Sequence, residues 1–544
     1  MCLKNLVLCV FLTFSLGVAK AQSGGFEVLK NLELIDQIYE YLDLYFVDEI
    51  AHGKLSKTAI DAMLKELDPY TVYFHEANIE DYRLMTTGQY GGLGATMGTI
   101  EGATCLTELY EGSPAQKSGL LVGDKIVRID NKNFIHKTAD EVSNAMKGPK
   151  GTKVFIEIER SGKPMNFTIT RDEIKIPDIP FAGLIDARTG YISLSSFTQT
   201  SSEEVKKTLL ELQGKGMEKL VFDLRGNGGG LLMEAVKIVG FFVPKGQVVV
   251  STKGRSKQEN MMYTTQENPV AETMPLVVLI DENSASASEI VAGALQDLDR
   301  AVVLGSTSYG KGLVQRVFDL KYGSKIKLTI AKYYTPSGRC VQRLEYYDNQ
   351  SGNSPKEIPD SLLKQFKTKN GRTVIDGRGI EPDVEIKDSI LEAFTQALVS
   401  NNMFFHYATR FHGAHPSIDS VPNFELSNED YTDFQSFVNA KNFQFQTKEL
   451  ALMEKIKKEL EKSNEYNEVA KSYEVLYHQL QKPVSWYFER EKTQIKSELE
   501  REIIGRYYFH KGQSKYDFQH SNVLKKAQFI LSNPSEYKSI LQKK

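Results

Sequence analysis

Residues 219–230 read Lys219-Leu220-Val221-Phe222-Asp223-Leu224-Arg225-Gly226-Asn227-Gly228-Gly229-Gly230. A near-continuous apolar run of this length fits a strand buried on both faces, and the glycines after it form a turn. The pattern recurs downstream. Leu276-Val277-Val278-Leu279-Ile280-Asp281 is a second such run, and Ser284-Ala285-Ser286-Ala287-Ser288-Glu289 leads from it into a helical stretch ending near Leu298. Strands alternating with helices over residues 175–386 predict an α/β core, and turns after parallel strands are where such cores place their ligands. A third segment, Gly310-Lys311-Gly312-Leu313-Val314-Gln315, completes a set of three Gly- or Ser-rich turns in one region.

On the N-terminal side, residues 89–174 read as a small β-rich module. Tyr90-Gly91-Gly92-Leu93-Gly94-Ala95 is a Gly-rich turn entering a strand, and Ser113-Pro114-Ala115 opens a short helix that stops at Gly119. Thr138 with Glu141 is a capping box opening another helix, and Val154, Ile156 and Ile158 alternate with Phe155, Glu157 and Glu159 as a strand. Residues 22–88 read as helical, with Phe26, Leu29, Leu32, Ile35, Ile38, Leu42 and Phe46 at helical spacing, until Leu67-Asp68-Pro69-Tyr70 breaks the pattern. Residues 387–544 carry Lys/Glu-rich helical periodicity and predict a C-terminal helical domain with solvated charged faces. At the start of the chain, Lys4, an apolar run from Leu6 to Val18 and Ala19-Lys20-Ala21 predict a signal peptide over residues 1–21.

The three turns narrow the chemistry. Gly305 to Lys311 spells the opening of a phosphate-binding loop, but the next position is Gly312 where Ser or Thr should hold magnesium. Val314, Arg316, Phe318 and Leu320 then read as strand where a helix should stand. A serine nucleophile needs a base. Histidine is absent between His136 and His406, so the core cannot build a Ser–His–Asp site from its own residues. Lysine can act as base when burial disfavours its ammonium form, and Gly310 and Gly312 let Lys311 approach another loop. Ser286 stands at a helix start, whose N–H groups favour negative charge. The Ala287 N–H and one from the Gly228–Gly230 turn, assigned to Gly229, are the expected oxyanion hole.

Taken together, GSPAxxxGLxxGD at residues 112–124 resembles a PDZ domain, and DLRGNGGG, SASASEI and GKGxVQ placed after it resemble the carboxy-terminal processing (tail-specific) proteases. The resemblance covers residues 60–386, including the LDPYTVYF segment. It implies a multidomain α/β protein: an N-terminal helical region (22–88), a PDZ domain (89–174), an α/β protease core of ClpP/crotonase-like type (175–386) and a C-terminal helical domain (387–544). It implies a serine endopeptidase with Ser286 as nucleophile and Lys311 as general base. Gln315 matches a Gln that orients the lysine in some members, and Glu289 and Asp297 match acidic positions proposed as accessory. Asp297 is eleven residues from Ser286, roughly 16 Å along a helix, which favours a role at the helix end. In the PDZ loop, Gly92, Leu93 and Gly94 are implied to bind a chain-terminal carboxylate while the peptide adds a strand. The expected partners are proteins or peptides with accessible C-terminal tails. The reading of a different class is a PDZ-type adaptor with an inactive hydrolase core.

Composition sets the remaining limits. The 544 residues carry a formal net charge of −3, which gives no reason to expect a nucleic-acid partner. The signal peptide predicts an exported, periplasmic or extracytoplasmic protein, and with no later segment long and apolar enough to span a membrane it is expected to be soluble or peripheral. Homo-oligomer formation through the N- or C-terminal helices is compatible with the apolar stripes. No metal site and no cofactor are expected. Cys105 and Cys340, the two cysteines beyond the signal peptide, read equally as one disulfide or two free thiols.

Overall fold

The computed structural model describes residues 25–76, 79–347, 355–386 and 391–542. The segment expected as a signal peptide lies outside the described residues. Two compact units divide the chain, one ending at Tyr73 and the other running from Phe74 to Lys544.

In the first unit, a helix over residues 25–45 is followed by the helix His52–Lys65. The expected stripe is present as a helical face as far as Leu42, with Phe26, Leu29, Leu32, Ile35 and Ile38 exposed, whereas Phe46 lies just past the helix end. The helix ends where Asp68 turns the chain. Its carboxylate accepts the N–H groups of Tyr70 and Thr71, both at 2.8 Å, the local bond by which Asp stabilises a turn rather than a helix.

The second unit begins with the short helix Ile79–Thr87 and then the β module. Its antiparallel sheet runs, in spatial order, Ala95–Ile100, Ala103–Leu109, Lys125–Ile129, Lys153–Arg160 and Lys163–Thr170. Val154, Ile156 and Ile158 are buried and Phe155 is exposed, as the alternation requires. Thr138 and Glu141 make the expected reciprocal cap of the Ala139–Met146 helix. Strand Ala95–Ile100 stands at the edge of this sheet, with the Ala139–Met146 helix beside it. Two further pairings appear that the sequence pattern does not signal: the Lys163–Thr170 strand, and Gln89–Gly92 antiparallel to Asp172–Lys175, which closes the neck of the module.

The core is a six-stranded sheet in the order Phe181–Leu184, Thr189–Ser193, Lys219–Asp223, Leu276–Ile280, Val302–Gly305 and Val384–Glu385. Every pairing after the first is parallel. Helices Ser201–Gly214, Leu232–Gly240 and Ala287–Asp297 bury one face against Leu220, Phe222, Val278 and Ile280. The opposite face, with Val221, Val277, Leu279 and Val302, is covered by Val523, Leu524, Ala527 and Ile530 of the Asn522–Ser532 helix. The apolar runs are therefore buried on both sides, and the end of the chain supplies the second layer. A separate antiparallel sheet carries Leu313–Asp319 and Val248–Gly254 on either side of Lys325–Tyr334.

Residues 391–542 form helices throughout the C-terminal region, around an aromatic core of Phe394, Phe404, Tyr407, Phe434 and Phe488. The Lys448–Lys462 and Tyr466–Leu480 helices bury little beyond Leu450, Met453 and Tyr473, so their charged faces are solvated as expected. Among the described residues, no helix is long and apolar enough to cross a membrane, and no cluster of His, Cys, Asp or Glu could hold a metal ion. Cys105 and Cys340 are separate thiols rather than a disulfide.

Candidate active site

Ser286 precedes the Ala287–Asp297 helix with φ 56° and ψ −111°, a region that non-glycine residues occupy at a cost of about 1–3 kcal/mol. The chain thus turns sharply between the Leu276–Ile280 strand and the helix, presenting Ser286 at the turn's apex. The serines on either side are committed elsewhere. Ser284 Oγ donates to the Leu224 carbonyl at 2.8 Å, Ser288 Oγ donates to the Asn227 carbonyl at 2.9 Å, and both residues are fully buried. Ser286 instead lines a cavity of about 690 Å³, together with Lys311, Gln315, Gly228, Gly229 and Gly230. The three turns singled out in the sequence meet there.

The glycine turn is held against the serine turn by Asn227. Its carbonyl accepts the Ala285 N–H at 3.0 Å, its Nδ2 donates to the Leu194 carbonyl at 2.7 Å, and its Oδ1 accepts the Gly229 N–H at 2.8 Å. Glycine is required at 229 by both conformation and space. Its φ is +99°, and a Cβ there would stand 2.7 Å from the Ala285 oxygen and 2.8 Å from the Ser286 Cβ. The Gly229 N–H, expected as an oxyanion donor, is given to Asn227 Oδ1 in this structure. Asn227 stands inside the DLRGNGGG motif, but its bonds to Ala285 and Leu194 reach across the chain and leave no local signal of its task.

Glu289, one helical turn after Ser286, is fully buried and gathers four donors. Its Oε2 accepts the N–H groups of Ser286 and Lys311, each at 2.8 Å, and its Oε1 accepts the Gly310 N–H at 2.7 Å and the Ser308 hydroxyl at 2.6 Å. Burial pushes the carboxyl up from its usual range, against the opposing pull of these four donors. Glu289 therefore ties the backbone of the lysine loop to the backbone of the serine turn. Gly310 and Gly312 permit that loop to lie against residues 341–343: a Cβ on Gly310 would meet the Arg343 Cβ at 2.6 Å, and one on Gly312 the Gln342 nitrogen at 2.8 Å. Lys311 itself is half-buried.

Gln315 lines the cavity, and its amide donates to Thr329 Oγ1 at 3.2 Å. Asp297 lies at the far end of the helix. It accepts the Ser337 N–H at 3.0 Å and pairs with the buried Arg339 at 2.9 Å, so it anchors the 335–339 turn, and it is not among the cavity-lining residues. In the PDZ loop, the carbonyls of Leu93 and Gly94 accept the N–H groups of Ala115 and Tyr110 at 2.9 Å. Gly94 has φ +75° and leaves no room for a Cβ beside Ser113, at 2.4 Å. Gly92 ends the strand paired with Asp172–Lys175.

Family models match three segments of the chain. Residues 106–160 match the PDZ domain model, residues 188–346 match peptidase family S41, and residues 394–531 match the probable PDZ-protease C-terminal helical domain. A carboxy-terminal-processing protease of Bartonella bacilliformis is 36% identical over 343 residues, covering 61% of this chain and 78% of that protein. A probable CtpA-like serine protease of Staphylococcus aureus is 32% identical over 339 residues, covering 62% and 68% respectively. Among solved structures, the photosystem II D1 C-terminal processing protease is 25% identical, covering 65% of this chain and 86% of its own, with a TM-score of 0.38. With a serine turn, a lysine loop and a PDZ module on one chain, and relatives of this extent, the protein belongs to the carboxy-terminal-processing serine proteases of peptidase family S41.

Proposed function

We propose that this chain is an exported endopeptidase that recognises the C-terminal tails of protein substrates through its PDZ domain and cleaves them with a Ser286/Lys311 dyad. The observation that carries the reading is the meeting of Ser286, Lys311 and the Gly228–Gly230 turn on one cavity, while Ser284 and Ser288 are bound to backbone carbonyls. In the acylation step, the neutral Lys311 amine takes the Ser286 Oγ proton as Oγ attacks the scissile carbonyl. The oxyanion that forms is met by the Ala287 N–H at the helix start. Lys311 then passes the proton to the departing amine, and a water activated by the same lysine hydrolyses the acyl-enzyme. The tail carboxylate is met by N–H groups of the Gly92-Leu93-Gly94 loop, and the peptide lies along the Ala95–Ile100 edge strand. Export rests on the basic and apolar pattern of residues 1–21.

The test is digestion of an unfolded protein bearing an apolar C-terminal tail. Wild type should cleave it, whereas Ser286→Ala, Lys311→Ala and Lys311→Arg should not, because arginine keeps the charge but cannot surrender its proton. Activity in Ser286→Ala would remove the nucleophile assignment, and a protein that binds tails without cutting any substrate would be the adaptor instead.

A further inference from the structure

We infer that Tyr333 is a positioning residue for the oxyanion donor: its hydroxyl holds the Ser286 carbonyl and thereby aims the Ala287 N–H at the reacting carbonyl. This rests on the Ser286/Lys311 dyad proposed for the protein. Tyr333 lies near the end of the Lys325–Tyr334 strand, is 1% exposed, and is one of the largest fully buried side chains of the molecule. Its hydroxyl donates to the Ser286 carbonyl at 3.2 Å, and its main-chain N–H donates to the Gly312 carbonyl at 2.9 Å. One residue thus touches the nucleophile's peptide unit and the residue next to Lys311.

Peptide planarity supplies the consequence. In a trans peptide the C=O of Ser286 and the N–H of Ala287 point in opposite directions within one rigid plane. The carbonyl is fixed by two donors, the Ile290 N–H of the helix at 2.9 Å and the Tyr333 hydroxyl. Its partner N–H must then point out of the N-terminal end of the helix, away from the helix body and from Tyr333. The glycine turn lies close by: a Cβ on residue 229 would stand 2.9 Å from the Ala287 nitrogen. The strained ψ of −111° at Ser286 is what places that plane, and a second donor on the carbonyl offsets the strain. A hydrogen bond to the carbonyl also polarises the peptide unit and strengthens its N–H as a donor. Burial, with Glu289 nearby, keeps the Tyr333 hydroxyl protonated by raising its pKa well above that of a free tyrosine.

The test is Tyr333→Phe in the full-length protein, which keeps the buried ring and the main-chain bond and removes one oxygen. Hydrolysis of a peptide substrate and binding of a peptide boronate, which mimics the tetrahedral adduct, are compared with wild type. With activity referred to the boronate-binding titre, a partly unfolded preparation does not imitate the effect. Expected is a kcat lower by about tenfold with KM unchanged, and boronate affinity lower by a similar factor. The loss is smaller than the 10²–10³-fold of deleting an oxyanion donor because the N–H itself remains. A kcat within twofold of wild type overturns the inference, as does a loss confined to titre or to KM. Cleavage by Ser286→Ala marks failure of the dyad reading instead, so the two outcomes are separable.

Discussion

The main-chain N–H of Lys311 donates to the carboxylate of Glu289 at 2.8 Å, through the same oxygen that accepts the Ser286 N–H. Two loops that belong to different strand crossovers are thereby fixed to one buried atom. A glutamine at 289 is nearly isosteric, but its NH₂ group faces donors where the carboxylate oxygen faced them. Glu289→Gln should therefore lower activity by at least ~10²-fold, the scale of misplacing a catalytic group by about 1 Å. The same change should lower unfolding stability by about 1–3 kcal/mol for donors left unsatisfied. Peptide hydrolysis together with denaturant unfolding measures both, and a stable, fully active Glu289→Gln variant would show that the lysine loop is held by other contacts.

The flanking serines give a different signature. Ser284 and Ser288 each place a buried hydroxyl on a backbone carbonyl of the glycine turn, at Leu224 and Asn227. Ser284→Ala and Ser288→Ala should each cost about 1–3 kcal/mol of stability, with the surviving folded fraction still turning over. Ser286→Ala should be as stable as wild type and inactive. Thermal unfolding and kcat on the three purified variants separate these cases, and an inactive but undestabilised Ser288→Ala would contradict the assignment.

How much of this can be read from the residues depends on whether a task is local. The Val154, Ile156, Ile158 alternation and the Thr138/Glu141 cap are made by neighbours in sequence, and both are present. The Lys163–Thr170 strand is not legible because Lys163, Pro164, Met165 and Asn166 are all exposed, so no buried face writes an alternation into them. The Asn522–Ser532 helix falls in the expected helical domain, yet nothing in its own pattern says that Val523, Leu524 and Ala527 cover Val221 and Val277. The site divides in the same way. Ser286, Lys311 and Glu289 stand in recognisable short segments, whereas Asn227 and Tyr333 act through bonds to residues 58 and 47 positions away for their closest links to the serine turn. Gly229 stands in a recognisable motif, but the partner of its N–H, Asn227 Oδ1, is visible only in three dimensions.

The C-terminal helices carry a pH dependence of definite sign. His412 packs against the Tyr507 ring, with centroids 4.8 Å apart, and burial, followed by the nearby Arg506 charge, lowers its pKa below the usual histidine value. A base with a lowered folded pKa binds fewer protons folded than unfolded. Its contribution to stability is present above the unfolded value of about 6.5 and is lost as pH falls through the folded pKa. Protection of the amides in the Met403–Ala414 helix, taken relative to intrinsic exchange rates at each pH, should therefore fall between pH 7 and pH 5, and His412→Gln should flatten that fall. Equal pH profiles in the two proteins would show that His412 is not the group responsible.

The neck of the PDZ module borders the cavity that holds Ser286 and Lys311. The cavity around Ser286 is lined in part by residues within 82–88 and by 176–178, the segments that flank the paired strands Gln89–Gly92 and Asp172–Lys175 at the neck of the PDZ module. Thr86 also accepts the Gln199 N–H at 3.0 Å, and Asp178 accepts the hydroxyl of Ser201 at 2.6 Å, so the neck is bonded directly to the protease core. A tail that binds one position of the module better than another shifts this neck, and only differential affinity can do so. Under that coupling, a short unanchored peptide should be cut faster when an uncleavable tail peptide is added in trans, and Gly94→Val should abolish the acceleration while leaving basal cutting in place. Under simple tethering, the added peptide should compete with tailed substrates and leave the short peptide's turnover unchanged. The measurement is initial rate against tail-peptide concentration for both substrates. The neck's position in the cavity wall favours acceleration, and a flat response for the short peptide would assign the PDZ module to substrate capture alone.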